Sequence, residues 1–200
     1  MIPDTSKVGD LMRAVASSEV LPRFRNLSAD EITEKKFGEL VTIADEKAET
    51  ALIDGLSSII PGSNVIGEEL AARHPSVLDK LDSDDPLWIV DPIDGTQNFT
   101  DGKTCFAMII AFVQRGRTLA GWILEPYNNH LVWAVEGRGA WEDGLALRIS
   151  RQTNIRDFRG SLNKTLREHL QKLHERDAID IPAEMTRYAC VGAEYADLAR

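Results

Sequence analysis

Residues 87–99 read LWIVDPIDGTQNF, and this stretch decides how the rest of the chain is interpreted. Four apolar, strand-forming residues are followed at once by Asp91 and Pro92, a pattern typical of a buried strand that ends in a turn. Proline fixes φ and glycine permits a positive φ, so the turn between Pro92 and Gly95 is built to hold one unusual backbone shape. The carboxylates of Asp91 and Asp94 on this turn repel each other unless a cation lies between them. Because Mg²⁺ prefers oxygen ligands of this kind, the stretch predicts a magnesium site.

The alternative is an ordinary acidic loop with solvated carboxylates, since short motifs of this kind also occur without function. A second observation favours the metal site. Residues 64–67 (NVIG) are typical of a short strand, and two acids, Glu68 and Glu69, follow it directly. If the two strands are neighbours in one sheet, Glu68 converges on Asp91 and Asp94.

The composition limits the classes of protein to which the chain can belong. Its 200 residues are 43% hydrophobic and 28% charged, which is typical of a globular protein and excludes a disordered one. The formal net charge of −9 disfavours direct nucleic-acid binding and an anionic membrane partner. The same charge disfavours phosphorylated substrates unless bound cations reverse the local field. Neither a secretory signal nor a membrane span is predicted, and Cys105 and Cys190 are expected to be free thiols in a reducing, cytoplasmic compartment.

Hydrophobic periodicity predicts helices at the N-terminus and strands after them. An amphipathic helix is expected from Val8 to about Leu21, and a second from Ala44 to Ile59, with a polar break at residues 35–38 between them. The consecutive strands and short turns that follow indicate a largely antiparallel sheet. These strands are predicted at residues 106–114, 118–124, 131–135 and 139–141.

The composition of the sequence changes after the predicted strands. Residues 147–158 are polar and basic, so we predict a boundary between a domain at 1–150 and a second one at 151–200. Leucines at helical spacing predict a helix that begins near Leu162, and a strand is expected at 185–190. The last predicted helix has no stop signal before the chain ends, so we expect the second domain to be incomplete.

Three segments carry a resemblance to a known family: LVTIAD at 40–45, IGEE at 66–69 and WIVDPIDGTQNF at 88–99. In this order they resemble the signatures of the inositol monophosphatase family of Mg²⁺-dependent, lithium-sensitive phosphatases. The segments GWILEPYNN, GRGAW and CVGAEYADLAR extend the likeness over nearly the whole chain. The resemblance implies a layered α/β sugar-phosphatase fold with a largely antiparallel N-terminal sheet and an incomplete second α/β domain. It also implies a homodimer for the intact protein.

The resemblance also implies a set of metal ligands. Glu68, Asp91 and the backbone carbonyl of Ile93 are implied to hold one Mg²⁺, while Asp91 and Asp94 hold a second. Two or three ions occupy the intact family site. The family supplies a further aspartate from a WDxAAG-type motif late in its second domain, and this chain contains no such motif before Arg200.

The remaining implied roles concern phosphate and water. The backbone N–H groups of Gly95 and Thr96 are implied to bind the substrate phosphate, as amides at a helix start are suited to do. The Thr96 hydroxyl and Glu39 are implied to orient a metal-bound water, which is the nucleophile. Glu39 stands where the family usually has an aspartate. Glu68 acts in this scheme through the metal that it holds.

The implied activity is Mg²⁺-dependent hydrolysis of a small polyol or sugar phosphate such as inositol monophosphate. Related families hydrolyse histidinol phosphate, 3′-phosphoadenosine phosphates or fructose bisphosphate, and Gln97 in the variable slot of the motif does not decide between them. An alternative of a different class is a non-catalytic interaction protein that retains the fold. Because one metal ligand is missing, we expect the 200-residue chain alone to be weakly active or inactive.

Overall fold

The computed structural model describes residues 2–36, 39–149 and 154–200. Its helices and strands, in chain order, are α1 (Thr5–Val15), β1 (Ile32–Lys36), β2 (Glu39–Thr42), α2 (Ile43–Ile59), β3 (Asn64–Gly67), α3 (Glu68–Arg73), β4 (Leu87–Asp94), α4 (Thr96–Thr100), β5 (Ala107–Gln114), β6 (Arg117–Glu125), β7 (His130–Val135), β8 (Gly139–Glu142), β9 (Leu145–Ala146), β10 (Arg159–Ser161), α5 (Lys164–Asp177), β11 (Glu184–Thr186) and α6 (Val191–Ala199). A π-helical turn at Ala16–Val20 continues α1, and a 3-10 helix at Pro75–Asp82 follows α3.

A seven-stranded sheet with the spatial order β3-β4-β5-β6-β7-β8-β9 forms the centre of the molecule. The β3–β4 pair is parallel, and Val65 lies opposite Trp88. All later neighbours in this sheet pair antiparallel. The predicted antiparallel meander and the predicted adjacency of the two acid-tipped strands are therefore confirmed.

Helices cover both faces of the sheet, because its strands alternate apolar side chains from one face to the other. On one face, α1 and α2 contribute Met12, Leu52 and Leu56 to the main core, and all three are fully buried against the sheet residues Trp88 and Trp122. On the opposite face, α6 packs against β5 and β6 through a small cluster that includes Ala107, Cys190 and Ala193. Within the described ranges, no helix is long and apolar enough to cross a membrane.

The structure differs from the sequence expectations at three places in the N-terminal half. Lys35 and Lys36, predicted in a break, lie in β1, which forms an antiparallel hairpin with β2; Phe37 and Gly38 fall outside the described residues. Glu68 opens a short helix, α3, that was not predicted. The β4 strand runs on past Pro92 to Asp94, and its register with β5 shifts between Asp91 and Asp94, which accommodates the proline.

The C-terminal part has a small sheet of its own, in which β10 and β11 pair parallel. The predicted helix near Leu162 is confirmed as α5, and the predicted last helix as α6. The strand expected at 185–190 is confined to β11. Part of the proposed domain boundary, residues 150–153, lies outside the described residues, and the division at residue 150 stays a prediction.

Candidate metal and phosphate site

The register of the parallel β3–β4 pair brings two acids to one edge of the sheet. Gly67 is the last residue of β3 and lies opposite Val90. The next residue on each strand is a carboxylic acid, Glu68 on one and Asp91 on the other. Because the carboxyl ends of parallel strands meet at the same edge, the two side chains become neighbours across the sheet.

A buried glutamate on α2 fixes the start of the helix that carries Glu68. The Glu49 carboxylate accepts from the backbone N–H of Glu69 at 2.7 Å and from that of Leu70 at 2.9 Å. Glu49 is 3% exposed, and burial raises its pKa while the two backbone hydrogen bonds oppose that shift. These bonds satisfy N–H groups that the first turn of α3 cannot satisfy internally. The orientation of Glu68 thus depends on a residue that we did not single out in the sequence.

Gly67 is required by the same arrangement. A Cβ at this position would lie 2.1 Å from Oε2 and 2.2 Å from Cδ of Glu49, well inside any contact distance. The glycine therefore lets the Glu49 carboxylate lie flat against the end of β3. The sequence feature that could have indicated this contact is Gly67 in the IGEE segment, together with the acid Glu49 on α2.

Lys35 supplies positive charge on the other side of the acids. Its Nζ lies 3.1 Å from Oε1 of Glu68 and 2.5 Å from Oε1 of Glu69. Burial favours the neutral amine, but the hydrogen bonds and charges of the two glutamates outweigh it and raise the pKa of Lys35. Glu69 is nearly buried, and burial raises its pKa to about 7. The positive charge of Lys35 thus offsets part of the negative charge of Glu68 and Glu69, and the charge of Glu68 also acts on Asp91.

Asp91 is the carboxylate of the site whose ionised form is least stabilised by its surroundings. Among the described residues, its Oδ1 is the one buried side-chain oxygen or nitrogen without a hydrogen-bond partner. Burial first, and then the charges of Glu68 and Asp94, raise the pKa of Asp91 to about 8. When Glu68 and Asp91 are both ionised neither can donate a hydrogen bond, so their approach is repulsive until a proton or a cation lies between them. Burial contributes more to this rise in the pKa of Asp91 than the repulsion between the carboxylates does.

The charges of Glu68 and Asp94 reach Asp91, and the convergence of the three acids on one cation-sized cavity stays a prediction. Oδ2 of Asp94 accepts from the backbone N–H of Gly192 at 2.5 Å and from the thiol of Cys190 at 3.1 Å. No three acidic, histidine or cysteine side chains of the described residues are arranged to hold a metal ion. The physical reason is that Asp94 is bound to the start of α6 and Glu68 to Lys35, which leaves only Asp91 without its donors.

The donor chemistry nevertheless fits a hard divalent cation. The unpartnered Oδ1 of Asp91 is a buried anionic oxygen, and Glu68 adds a second carboxylate at the same sheet edge. Mg²⁺ is bound in proteins through one or two carboxylates with waters and substrate oxygens completing its shell.

The turn after Asp91 holds the residues predicted to meet phosphate and water. Gly95 has φ of +86°, a left-handed conformation that favours glycine, and it caps α4. The Thr96 hydroxyl lies 2.9 Å from the Ile93 carbonyl and 3.4 Å from Oδ1 of Asp45. Burial raises the pKa of Asp45 to about 6, even though the Thr42 hydroxyl and backbone N–H donate to its other oxygen.

The structure places Asp45, rather than Glu39, beside Thr96. Glu39 is exposed at the start of β2, on the hairpin. Asp45 follows six residues later, on the first turn of α2, and is 1% exposed. The sequence did contain this residue, as the last letter of the LVTIAD segment, but gave no indication of the contact with Thr96.

Comparisons with known proteins agree on one family. The sequence model of the inositol monophosphatase family matches residues 6–200. Inositol monophosphatase 1 of Sus scrofa is 34% identical over 150 residues, which cover 74% of this chain and 50% of the relative. Nus factor SuhB of Haemophilus influenzae is 32% identical over 150 residues, which cover 75% of this chain and 53% of the relative.

A solved structure gives the same result at the level of the fold. An IMPase from Thermotoga maritima matches with a TM-score of 0.76 at 25% identity, and the match covers 96% of this chain and 71% of that chain. The predicted layered α/β phosphatase fold is thereby confirmed. The chain spans about half the length of the curated relatives that it matches.

We predict that Gly67→Ala destabilises the protein through its contact with Glu49. The new methyl group displaces the Glu49 carboxylate from α3, so the free energy of unfolding should fall by about 1–3 kcal/mol, as for overpacked sites generally. Urea denaturation measures this value. Gly121→Ala is the matched control, because its Cβ would meet only the Ile110 carbonyl at an ordinary 3.8 Å. Equal effects of the two substitutions would contradict the proposed constraint.

Asp91 is expected to make the stability of the metal-free protein depend on pH. The carboxyl ionises near pH 4 when the chain is unfolded, to within about a unit, and with a pKa of about 8 when it is folded. Between these values the folded state binds more protons than the unfolded state, so the free energy of unfolding falls as the pH rises.

Asp91→Asn removes the ionisable group and should therefore stabilise the metal-free protein at high pH. We expect a gain on the order of 1–3 kcal/mol at pH 8 and much less at pH 4, where the wild-type group is already protonated. Urea denaturation in EDTA at the two pH values measures the difference. The exposed Asp79 provides the control variant Asp79→Asn. An equal gain at both pH values would show that ionisation of Asp91 is not the cause.

Proposed function

Because the chain belongs to the inositol monophosphatase family, we propose that it supplies the metal- and phosphate-binding residues of a phosphomonoesterase that hydrolyses a small polyol or sugar phosphate, such as inositol monophosphate. The observation that carries this proposal is the buried, unpartnered Oδ1 of Asp91 beside Glu68. A buried carboxylate in this state is stabilised by a cation, and cation-bound carboxylates next to a glycine turn suit phosphate chemistry.

In the proposed site, Glu68, Asp91 and the carbonyl of Ile93 would hold one Mg²⁺, and Asp91 with Asp94 would hold a second. A bound Mg²⁺ lowers the pKa of its water and neutralises charge on the leaving oxygen. Two of these acids already have partners, since Oε1 of Glu68 pairs with Lys35 and Oδ2 of Asp94 accepts from Gly192. A bound ion would compete with these partners or would take the other oxygen of each carboxylate.

The protein's own groups position the substrate and the water. The backbone N–H groups of Gly95 and Thr96 bind the phosphate oxygens, since Gly95 turns the chain at the start of α4. The Thr96 hydroxyl orients the attacking water, and a carboxylate accepts the proton of that water. Asp45 is the better candidate for that carboxylate because it contacts Thr96, and its pKa of about 6 suits a general base near neutral pH. Glu39 remains the candidate that the family resemblance implies.

A binding function is the second candidate, and one observation favours it. A relative with 32% identity is named a Nus factor, although the proposed catalytic acids are present in this chain. In that case the protein acts by binding a partner through its surface, and it does not need to hydrolyse a substrate. The net charge of −9 favours a protein partner over nucleic acid. Loss of the partner on substitution of a surface residue, with Asp91→Asn still binding it, would support this second candidate.

Asp91→Ala is expected to abolish Mg²⁺ binding, because it removes the carboxylate shared by both proposed ions. Calorimetric titration of the wild-type chain should show Mg²⁺ binding that is absent in the variant and unchanged in the exposed control Asp79→Ala. In the product of the complete reading frame, phosphate release from inositol monophosphate should fall by at least about 100-fold, the effect typical of losing a preorganised charge-stabilising group. Wild-type Mg²⁺ affinity in Asp91→Ala would refute the proposed site.

Asp45→Asn and Glu39→Gln distinguish the two candidates for the carboxylate that orients water. The contact with Thr96 predicts that Asp45→Asn lowers kcat by about 100-fold or more with little change in KM, as is typical of a lost general base. Glu39→Gln should change kcat by less than about threefold, because an exposed charge contributes little. Asparagine keeps an oxygen that can accept from Thr42, so helix α2 should stay capped. The reverse order of effects would assign the role to Glu39.

A further inference from the structure

Two thiols lie directly behind the turn that carries Asp94 and Gly95, and the proposed reaction uses neither of them. Cys190 immediately precedes α6 and is 2% exposed, and its thiol faces Oδ2 of Asp94 at 3.1 Å. Cys105 lies in the segment between α4 and β5, where it is half-buried. Both cysteines are free thiols.

The surrounding structure holds the two cysteine segments against each other. The side-chain nitrogen of Asn98 donates to the carbonyls of Cys105 at 2.8 Å, Tyr188 at 2.8 Å and Ala189 at 3.3 Å. A Cβ on Gly95 would meet Cβ of Cys190 at 3.1 Å and the carbonyl oxygen of Cys105 at 3.3 Å. Two segments more than 80 residues apart in sequence are thus fixed around one glycine.

The two cysteine side chains also belong to one packed cluster. The thiol of Cys105 lies 3.7 Å from the Tyr188 carbonyl and packs on the cluster that contains Cys190. The thiol of Cys190 therefore has two neighbours, the Cys105 side chain on one side and the carboxylate of Asp94 on the other.

We propose that Cys105 and Cys190 form a reversible disulfide that removes the thiol donor from Asp94 and so makes Mg²⁺ binding at this turn sensitive to oxidants.

The oxidant is a peroxide or a small-molecule disulfide. With hydrogen peroxide, the more exposed Cys105 attacks the O–O bond and becomes a sulfenic acid, and one water leaves. The Cys190 sulfur then attacks the sulfenic sulfur, the S–S bond forms, and a second water leaves. Two thiols thus give up two electrons and two protons to one peroxide.

The disulfide changes the surroundings of Asp94 in a defined direction. A sulfur in a disulfide carries no proton, so Oδ2 of Asp94 keeps only the N–H of Gly192 as a donor. An S–S bond is about 2.05 Å long, so it draws the Cys190 sulfur toward Cys105. A carboxylate with one hydrogen bond fewer turns more readily toward a metal ion. The oxidised protein therefore binds Mg²⁺ more tightly, a consequence that rests on the proposed role of Asp94 as a metal ligand.

The first measurement concerns the disulfide alone. The full chain is treated with hydrogen peroxide, digested without reductant and analysed by mass spectrometry. We expect a loss of two hydrogen masses and a peptide pair that links Cys105 to Cys190, both reversed by dithiothreitol and both absent in Cys105→Ser. Sulfinic acid at Cys105 with no linked peptide would overturn the proposal. This result does not depend on metal binding, so it stands or falls separately from the proposed function.

The second measurement concerns the coupling to Asp94. Calorimetric titration with Mg²⁺ should show an affinity about threefold to tenfold higher for the oxidised than for the reduced chain, the range expected for one lost hydrogen bond. Cys190→Ala, which lacks the donor, should show the oxidised affinity without oxidant. Cys190→Ser keeps a hydroxyl donor, and it should keep the reduced affinity in peroxide, as should Cys105→Ser. Equal affinities of the oxidised and reduced chains would overturn the coupling, and absence of Mg²⁺ binding in every variant would overturn the proposed function together with it.

Discussion

Parallel pairing between β3 and β4 ends at Gly67 and Val90, and an acid follows each strand. The rest of the site depends on this register, because a shift by one residue would turn Glu68 and Asp91 to opposite faces of the sheet. The core maintains the register through Trp88, which is fully buried between α2 and the neighbouring strands. Glu49 adds a second restraint by holding the start of α3. The position of two carboxylates thus follows from apolar packing and one buried hydrogen-bonded acid.

The electrostatics of this edge oppose stability in the absence of a cation. Burial raises the pKa of each of Asp45, Glu69 and Asp91, and the positive charge of Lys35 opposes this rise at Asp45 and Glu69. Buried charges of one sign persist only when the surrounding structure fixes them, and such strain is concentrated at functional sites. Stability lost at this edge is offset by the large apolar core beneath it. A cation bound at Asp91 would relieve this repulsion, and the same unfavourable electrostatics therefore favour cation binding there.

Much of this fold could be predicted from the sequence, and the exceptions have a common cause. The meander and α2 carry strong periodicity because one face of each is buried, and the DPIDGT segment combines the residues that a phosphate turn needs. The β1–β2 hairpin was missed because its strands are short and show no alternation of apolar and polar residues. Asp45 and Glu49 were missed because acids on an amphipathic helix normally face water, and only tertiary packing buries them. Glu39 was chosen instead because its place in the motif, not its surroundings, suggested the role.

Asp94 shows most clearly why the site could not be completed from the sequence. Its hydrogen-bond partner Gly192 is 98 residues away and lies on the opposite face of the sheet from α2. A Cβ on Gly192 would meet Cβ of Ala107 at 2.9 Å, so α6 docks closely enough for its first-turn N–H to reach the carboxylate. An anion at a helix start is favourable, and this contact helps to seat α6 on β5 and β6. The same carboxylate is the proposed ligand of the second metal ion. A cation bound to either oxygen withdraws negative charge from the carboxylate and weakens the hydrogen bond that it accepts from Gly192. Metal binding at this turn and the docking of α6 would therefore be energetically linked through Asp94.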